Sequence, residues 1–187
     1  MYTLGLDISS HTGWALFKDS ELVSYGILNT SAKSREFPWG IYQWAKQCAD
    51  KINELCSNYF FVDKIIIEKT NLGKNREFQS FLEWIHFFVL HTFSFGSLKN
   101  KINYIDTSQW KKQLNLKLTK EQREQNKFVL KQHKNGQKNV LQNDKRIGKV
   151  TSKHLSVEFV NKEFNLNLKL KNNDIADAVC IAFSHAK

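Results

Sequence analysis

The stretch Thr3–Asn29, TLGLDISSHTGWALFKDSELVSYGILN, decides how this chain folds. Leu4, Leu6 and Ile8 alternate with Thr3, Gly5 and Asp7, the two-residue period of a strand with one apolar face. Gly13–Lys18 and Glu21–Asn29 read as two further strands, divided by the polar turn Asp19-Ser20. Three strands in immediate succession predict an antiparallel meander at the start of the fold.

Working outward, the pattern changes. Ile41, Trp44, Ala45, Cys48, Ile52 and Leu55 recur at helical spacing after Pro38, which suits a helix start. Asp63–Glu68 contains Ile65-Ile66-Ile67, a β-branched run without polar alternation that predicts a strand buried on both faces, as in the middle of a parallel sheet. Residues 77–95 form a long apolar helix, Lys101–Asp106 a further strand, and Thr107-Ser108 a candidate cap for a short helix carrying Trp110, Lys111 and Lys112. A polar stretch of mixed helical and loop character, 117–150, precedes a helix over 151–164 with Leu155, Phe159 and Val160 as its buried stripe. Asn172 or Asn173 caps a last helix over 174–186. The order predicts an α/β fold: a mixed five-stranded sheet flanked by helices, in one domain spanning 1–187 with a basic polar insertion around 117–150.

Composition narrows the function. The chain has 187 residues, 41% of them hydrophobic and 13% aromatic, enough for a core without disulfides or structural metal. No apolar run reaches the length of a membrane span, and MYTLGLDISS lacks the basic start and apolar run of a signal peptide. The expectation is a cytoplasmic protein with no membrane partner. Cys48, Cys56 and Cys180 have no zinc-ligand or disulfide spacing. Net charge is +10, and 111–154 holds 13 Lys/Arg against 3 acids, which accounts for all of it. A neutral body with one basic segment is the footprint expected for a phosphate polyanion, although lysines also keep a solvated insertion soluble.

Four carboxylates sit where acids are expensive. Asp7 lies inside the first strand, Glu68 ends the triple-isoleucine strand, and Asp174 and Asp177 open a helix that continues AVCIAF. Their i, i+3 spacing puts the last two on one helix face. Each has an ordinary reading: Asp174 favours the helix dipole, Glu68 could pair with Lys64 or Lys69, and Asp7 could cap a turn through Ser9 or Ser10. Together, acids without a Cys or His cluster point to a hard divalent cation such as Mg²⁺, with Mn²⁺ as a substitute, beside a phosphate-containing ligand.

LGLDISSHTGWAL (Leu4–Leu16), IIIEK (Ile65–Lys69) and DIADAVCIAFSHA (Asp174–Ala186) resemble the three acidic motifs of RuvC-type Holliday junction resolvases, a family with a ribonuclease-H-like fold. TSQWKKQL (Thr107–Leu114) is similar to a Trp-Lys segment of phage-type relatives. The resemblance implies a homodimeric, Mg²⁺-dependent crossover junction endodeoxyribonuclease that nicks branched DNA by two-metal phosphodiester hydrolysis. It places Asp7, Glu68, Asp174 and Asp177 on the metal ligands, with Asp7 shared between the ions. Lys111, Lys112, Lys149 and Lys153 are the candidates for DNA phosphate contacts. Three features depart from the family pattern. Ile8-Ser9-Ser10 follows the first Asp in place of Pro-Gly, Lys69-Thr70-Asn71-Leu72 follows the Glu without an aromatic, and 117–150 is long.

Other readings stay open at this point. The same fold could serve an RNA or flap nuclease, or a DNA-binding module without catalysis. A sugar-kinase or actin-type ATPase, whose phosphate loop DISSHTGWA resembles, needs far more chain and a second Gly-rich loop. A dimer interface on the helix bearing Phe78, Phe81, Leu82, Ile85, Phe88 and Val89 competes with the plainer expectation that this stripe is core.

Overall fold

The computed structural model describes residues 1–32, 34–70, 76–94, 99–135, 140–142 and 145–186. Three strands open the chain, β1 (Tyr2–Asp7), β2 (His11–Lys18) and β3 (Glu21–Asn29), and pair antiparallel in sequence. After helix α1 (Trp39–Asn58), strand β4 (Lys64–Glu68) pairs parallel to β1. Helix α2 (Arg76–Ser94) then leads to β5 (Ile102–Ile105), parallel to β4. The sheet order is β3-β2-β1-β4-β5, the mixed five-stranded arrangement that the sequence predicts. Short helix α3 (Thr107–Gln113) and α4 (Lys120–Lys134) follow. The two-stranded hairpin of β6 (Val140–Gln142) and β7 (Lys145–Ile147) comes next, then α5 (Ser152–Phe164) and α6 (Asn173–Phe183).

Strand alternation sorts the core into two layers. Leu4, Leu6, Ile8, Ile65 and Ile67 pack on one face of the sheet against Ile41, Ala45, Ile52, Phe81, Ile85 and Val89 of α1 and α2. Ala15, Phe17 and Ile66 meet Trp110, Val157, Val160 and the apolar length of α6 on the other. The triple isoleucine is fully buried because β4 lies between β1 and β5 with helices on both sides. Phe81, Ile85 and Val89 are therefore core residues, while Leu82 and Phe88 are half-buried against them and Phe78 stays exposed.

Three local expectations change. Asp106, rather than Thr107 or Ser108, precedes α3: its backbone N–H donates to Gln109 Oε1 at 3.0 Å, closing the first turn. The last helix stops at Phe183, and Ser184 ends it by donating its hydroxyl to the Ile181 carbonyl at 2.7 Å. Within 117–150, a full four-turn helix stands where mixed helix and loop are predicted, and a hairpin follows it.

One contact positions everything that follows. At Gly13 a Cβ would come within 1.9 Å of the Asp174 carbonyl oxygen, and at Gly5 within 2.6 Å of the Ala178 carbonyl oxygen. Two glycines on adjacent strands, Gly5 facing Ala178 and Ala182 and Gly13 facing Asp174 and Ile175, let the α6 backbone lie directly on β1 and β2.

Candidate active site

Asp7 is the last residue of β1 and sits opposite Gly13 across the hairpin. Glu68 is the last residue of β4, one step past the Leu6–Ile67 rung, so the two acids end neighbouring parallel strands. Both point to the α6 face, because alternation puts Asp7 with Gly5, and Glu68 with Ile66. The first turn of α6, held on Gly13, carries Asp174 and Asp177 over the same strand ends. Ligands of open α/β sheets bind at this carboxyl edge.

Electrostatics record how close the four acids stand. Burial, and then the negative charges of Asp177, Glu68 and Asp174, hold the Asp7 carboxyl well above the usual carboxylate range; Lys153 opposes them. Asp177 is pushed up to about 6, first by burial and then by Glu68, against the pull of Ser156, Lys111 and Lys153. The Ser156 hydroxyl stands 3.3 Å from the Ser152 carbonyl and also serves Asp177, and the charged acceptor is the stronger partner. Asp177 Oδ1 is buried without a hydrogen-bond partner.

The ordinary explanations divide: Asp174 does stand in the first turn of α6, where an acid favours the helix dipole, while among the described residues Glu68 has no lysine partner and Asp7 caps no turn. Lys69 pairs with Asp106 at 3.0 Å, leaving Glu68 to accept from Trp110 Nε1 at 3.0 Å and from the Thr107 hydroxyl. Ser9 and Thr12 close the β1–β2 turn between themselves, with the Thr12 hydroxyl donating to the Ser9 carbonyl at 2.7 Å, so Asp7 caps nothing there. Asp174 accepts from its neighbour Asn173. Among the described residues no ion pair engages any of the four.

The candidate phosphate-binding lysines separate into two groups. Lys111 lies half-buried, its Nζ 4.8 Å from the Trp110 ring centre, and its charge acts on Asp177. Lys153, in the first turn of α5, acts on both Asp7 and Asp177. Lys112 and Lys149 are exposed, and neither is among the charges that act on the carboxylates. The loop after Glu68 continues through Lys69 and Thr70; Asn71 and Leu72 lie outside the described residues. Thr107, Trp110 and Ser156 are site residues that composition and spacing did not single out. Only the Trp-Lys likeness of TSQWKKQL pointed near them.

The donor set suits a hard divalent cation: four carboxylates, one with an orphaned buried oxygen, while the neighbouring Cys180 thiol is buried and pushed well above its ordinary value by burial and by Asp177. Among the described residues no three acidic, histidine or cysteine side chains close tightly enough to enclose an ion. Glu68 is turned to Thr107 and Trp110, and Asp174 to Asn173.

No protein-family model and no curated protein sequence matches the chain. Solved structures do. RuvC of T. thermophilus in complex with a Holliday junction substrate superposes with a TM-score of 0.64 at 14% identity, covering 100% of this chain and 93% of that one. A second Thermus thermophilus RuvC structure gives 0.62 at 15%, with the same coverage. The yeast mitochondrial Holliday junction resolvase gives 0.50 at 14%, covering 98% of this chain and 77% of that chain. The fold is thus the ribonuclease-H-like fold of RuvC.

Proposed function

We propose that the chain is a divalent-metal-dependent endonuclease that cleaves branched DNA, with the four-way junction as its substrate and a homodimer as its working form. The observation that carries this reading is the gathering of Asp7, Glu68, Asp174 and Asp177 at one sheet edge, where the other three charges raise the proton affinity of Asp7, Glu68 raises that of Asp177, and among the described residues none of the four is in an ion pair. Mutual repulsion of this kind persists in a fold when a cation relieves it in use. The RuvC-like fold and the basic charge outside the site agree with a nucleic-acid substrate.

Asp7, Glu68, Asp174 and Asp177 would hold Mg²⁺, two ions per site, with Mn²⁺ able to replace it. Such ions supply charge stabilisation at the phosphoryl oxygens and a nucleophilic water at neutral pH. Trp110 and Thr107 fix the Glu68 carboxylate, and Ser156 steadies Asp177. Lys111 and Lys153 flank the carboxylates and draw the scissile phosphate toward them. Lys112 and Lys149, further out, position the duplex without reading bases. Since Phe81, Ile85 and Val89 of α2 are core, the dimer contact falls on the aromatics left exposed before and on α1 and on α2, Phe37, Trp39, Phe78 and Phe87. The described helices include none long and apolar enough to cross a membrane, and the cytoplasm, that of a bacterial host if the protein is phage-encoded, is the proposed compartment.

The test is incubation of a labelled synthetic four-way junction with the protein and Mg²⁺. Paired nicks in opposed strands, lost in Asp7→Asn and Asp177→Asn, are the expected outcome. Cleavage by those variants at the parent rate removes the metal assignment. Equal cutting of flaps or RNA hybrids replaces the substrate.

A further inference from the structure

Helix α4 carries a feature that the carboxylate site does not use. Lys120, Arg123, Lys127, Lys131 and Lys134 are all exposed. At about 100° per residue they fall within an arc of about 80°, a single stripe about 21 Å long. The opposite side is the seam that seats the helix, where Val129 and Asn126 are buried. Glu121 lies about 80° beyond the stripe and Glu124 borders it about 20° past Lys131, and among the described residues no ion pair involves α4.

A merely solvated helix face is built differently. On α1, Lys46 reaches Asp50 one turn on at 2.8 Å. On α4, Arg123, Lys127 and Lys131 repeat the same charge at i, i+4 and i+8, an arrangement that costs an isolated helix about 0.2–0.5 kcal/mol per pair. Arg123 steadies the first turn by donating its Nε–H to the Leu118 carbonyl at 3.1 Å, and Thr119 caps the helix by accepting from the Gln122 N–H at 3.2 Å. The helix is thus ordered by caps and by its buried seam despite the like charges along its face.

The stripe is also fixed in direction. Asn126 donates from Nδ2 to the Val150 carbonyl at 2.8 Å and accepts the Val150 N–H at 2.7 Å, and Gln125 donates to the Gly148 carbonyl at 2.7 Å. Val150 leads through Thr151 into α5, which carries Lys153 and Ser156 to the carboxylates. A two-point clamp therefore ties the basic helix to the element that lines the site.

We propose that the basic stripe of α4 is a second DNA contact, which tracks the phosphate backbone of one duplex arm while the carboxylate edge engages the branch. This rests on the branched-DNA reading of the site and adds the element that holds an arm. Five cations along about 21 Å span roughly six base-pair steps at 3.4 Å each. Contacts of this kind bind without base preference and weaken steeply with salt.

Binding of a labelled four-way junction and of a linear 20-base-pair duplex, measured by fluorescence anisotropy in EDTA across a salt series, tests it on the full chain. The variant is Lys127→Gln, Lys131→Gln and Lys134→Gln combined; Gln keeps helix propensity, and an unchanged far-UV spectrum and melting temperature establish the fold. A control with the same loss of charge combines Lys18→Gln, Lys162→Gln and Lys171→Gln. The stripe variant should lose about tenfold or more in affinity for both DNAs, and its slope of log K against log salt should shrink by about 2–3. The control should stay within twofold of the parent. Parent-like affinity and slope in the stripe variant, or an equal loss in the control, overturns the proposal. Junction nicking by the parent in Mg²⁺ is scored separately. A parent that binds through the stripe but never cleaves defeats the nuclease reading and leaves this one standing.

Discussion

Asp177 has to ionise against a cost, since burial and Glu68 raise it to about 6 from a carboxylate's ordinary value near 4. A raised acid makes the fold most stable below its ordinary value, and that stability is lost as pH rises through about 6. At pH 8 without divalent ions, Asp177→Asn should therefore be more stable than the parent, by roughly 1–3 kcal/mol in urea unfolding, while cleavage is lost. A variant less stable than the parent under those conditions contradicts the strained-carboxylate reading. His86 works in the opposite direction. It projects from α2 and is buried against Tyr104, with Nδ1 3.0 Å from the Tyr104 hydroxyl and Nε2 unpartnered, and burial lowers it to about 4. The unfolded chain takes up a proton below about 6.5 that the folded chain refuses, so His86 removes roughly 3 kcal/mol of stability as pH falls from 6.5 to 4. The two trends overlap and partly cancel. In the Asp177→Asn protein the acid loss should appear in full, and in His86→Leu it should flatten. Trp110→Phe keeps the ring but takes the donor from Glu68, which should cost about 1–3 kcal/mol and slow cleavage without abolishing DNA binding.

At the scale of elements, the glycine contacts decide whether a site exists. Gly13→Ala drives a methyl into the Asp174 carbonyl, a backbone atom that cannot move without the helix. The expected loss is about 3 kcal/mol or more, together with cleavage; urea unfolding and junction nicking measure the two. Wild-type stability in that variant contradicts the close seating of α6. The strands were legible in the sequence because Thr3–Ile8 alternates cleanly and Ile65-Ile66-Ile67 does not, and the two patterns fix an outer meander against a central parallel strand. The four carboxylates were legible for a related reason, as charges inside apolar periods. Their supporting residues were hidden. Thr107, Trp110 and Ser156 look like ordinary cap, core and surface residues until α3 and α5 are docked, and docking is a long-range event that no local period encodes. The α2 stripe left core and interface open because an apolar helix face looks the same whether a sister helix or a partner covers it. The extent of α4 within the mixed helix and loop of 117–150 was hidden because its apolar seam is little more than Val129 and its anchor is an asparagine.

Over the whole molecule, charge is divided by sign. The carboxylate edge is a half-buried negative centre, and the segment 111–154 that carries the entire net charge supplies both flanking lysines and the α4 stripe. Such a molecule should bind DNA with strong salt dependence and need divalent ions less to bind than to relieve its own centre. The most direct test of that central claim is the melting temperature at pH 8 with and without Mg²⁺, in the parent and in the combined Asp7→Asn and Asp177→Asn protein. Mg²⁺ should raise the parent by several degrees and leave the double variant, already more stable without metal, where it was. Equal shifts in both proteins, or none in the parent, would contradict the assignment of these four carboxylates as a cation site.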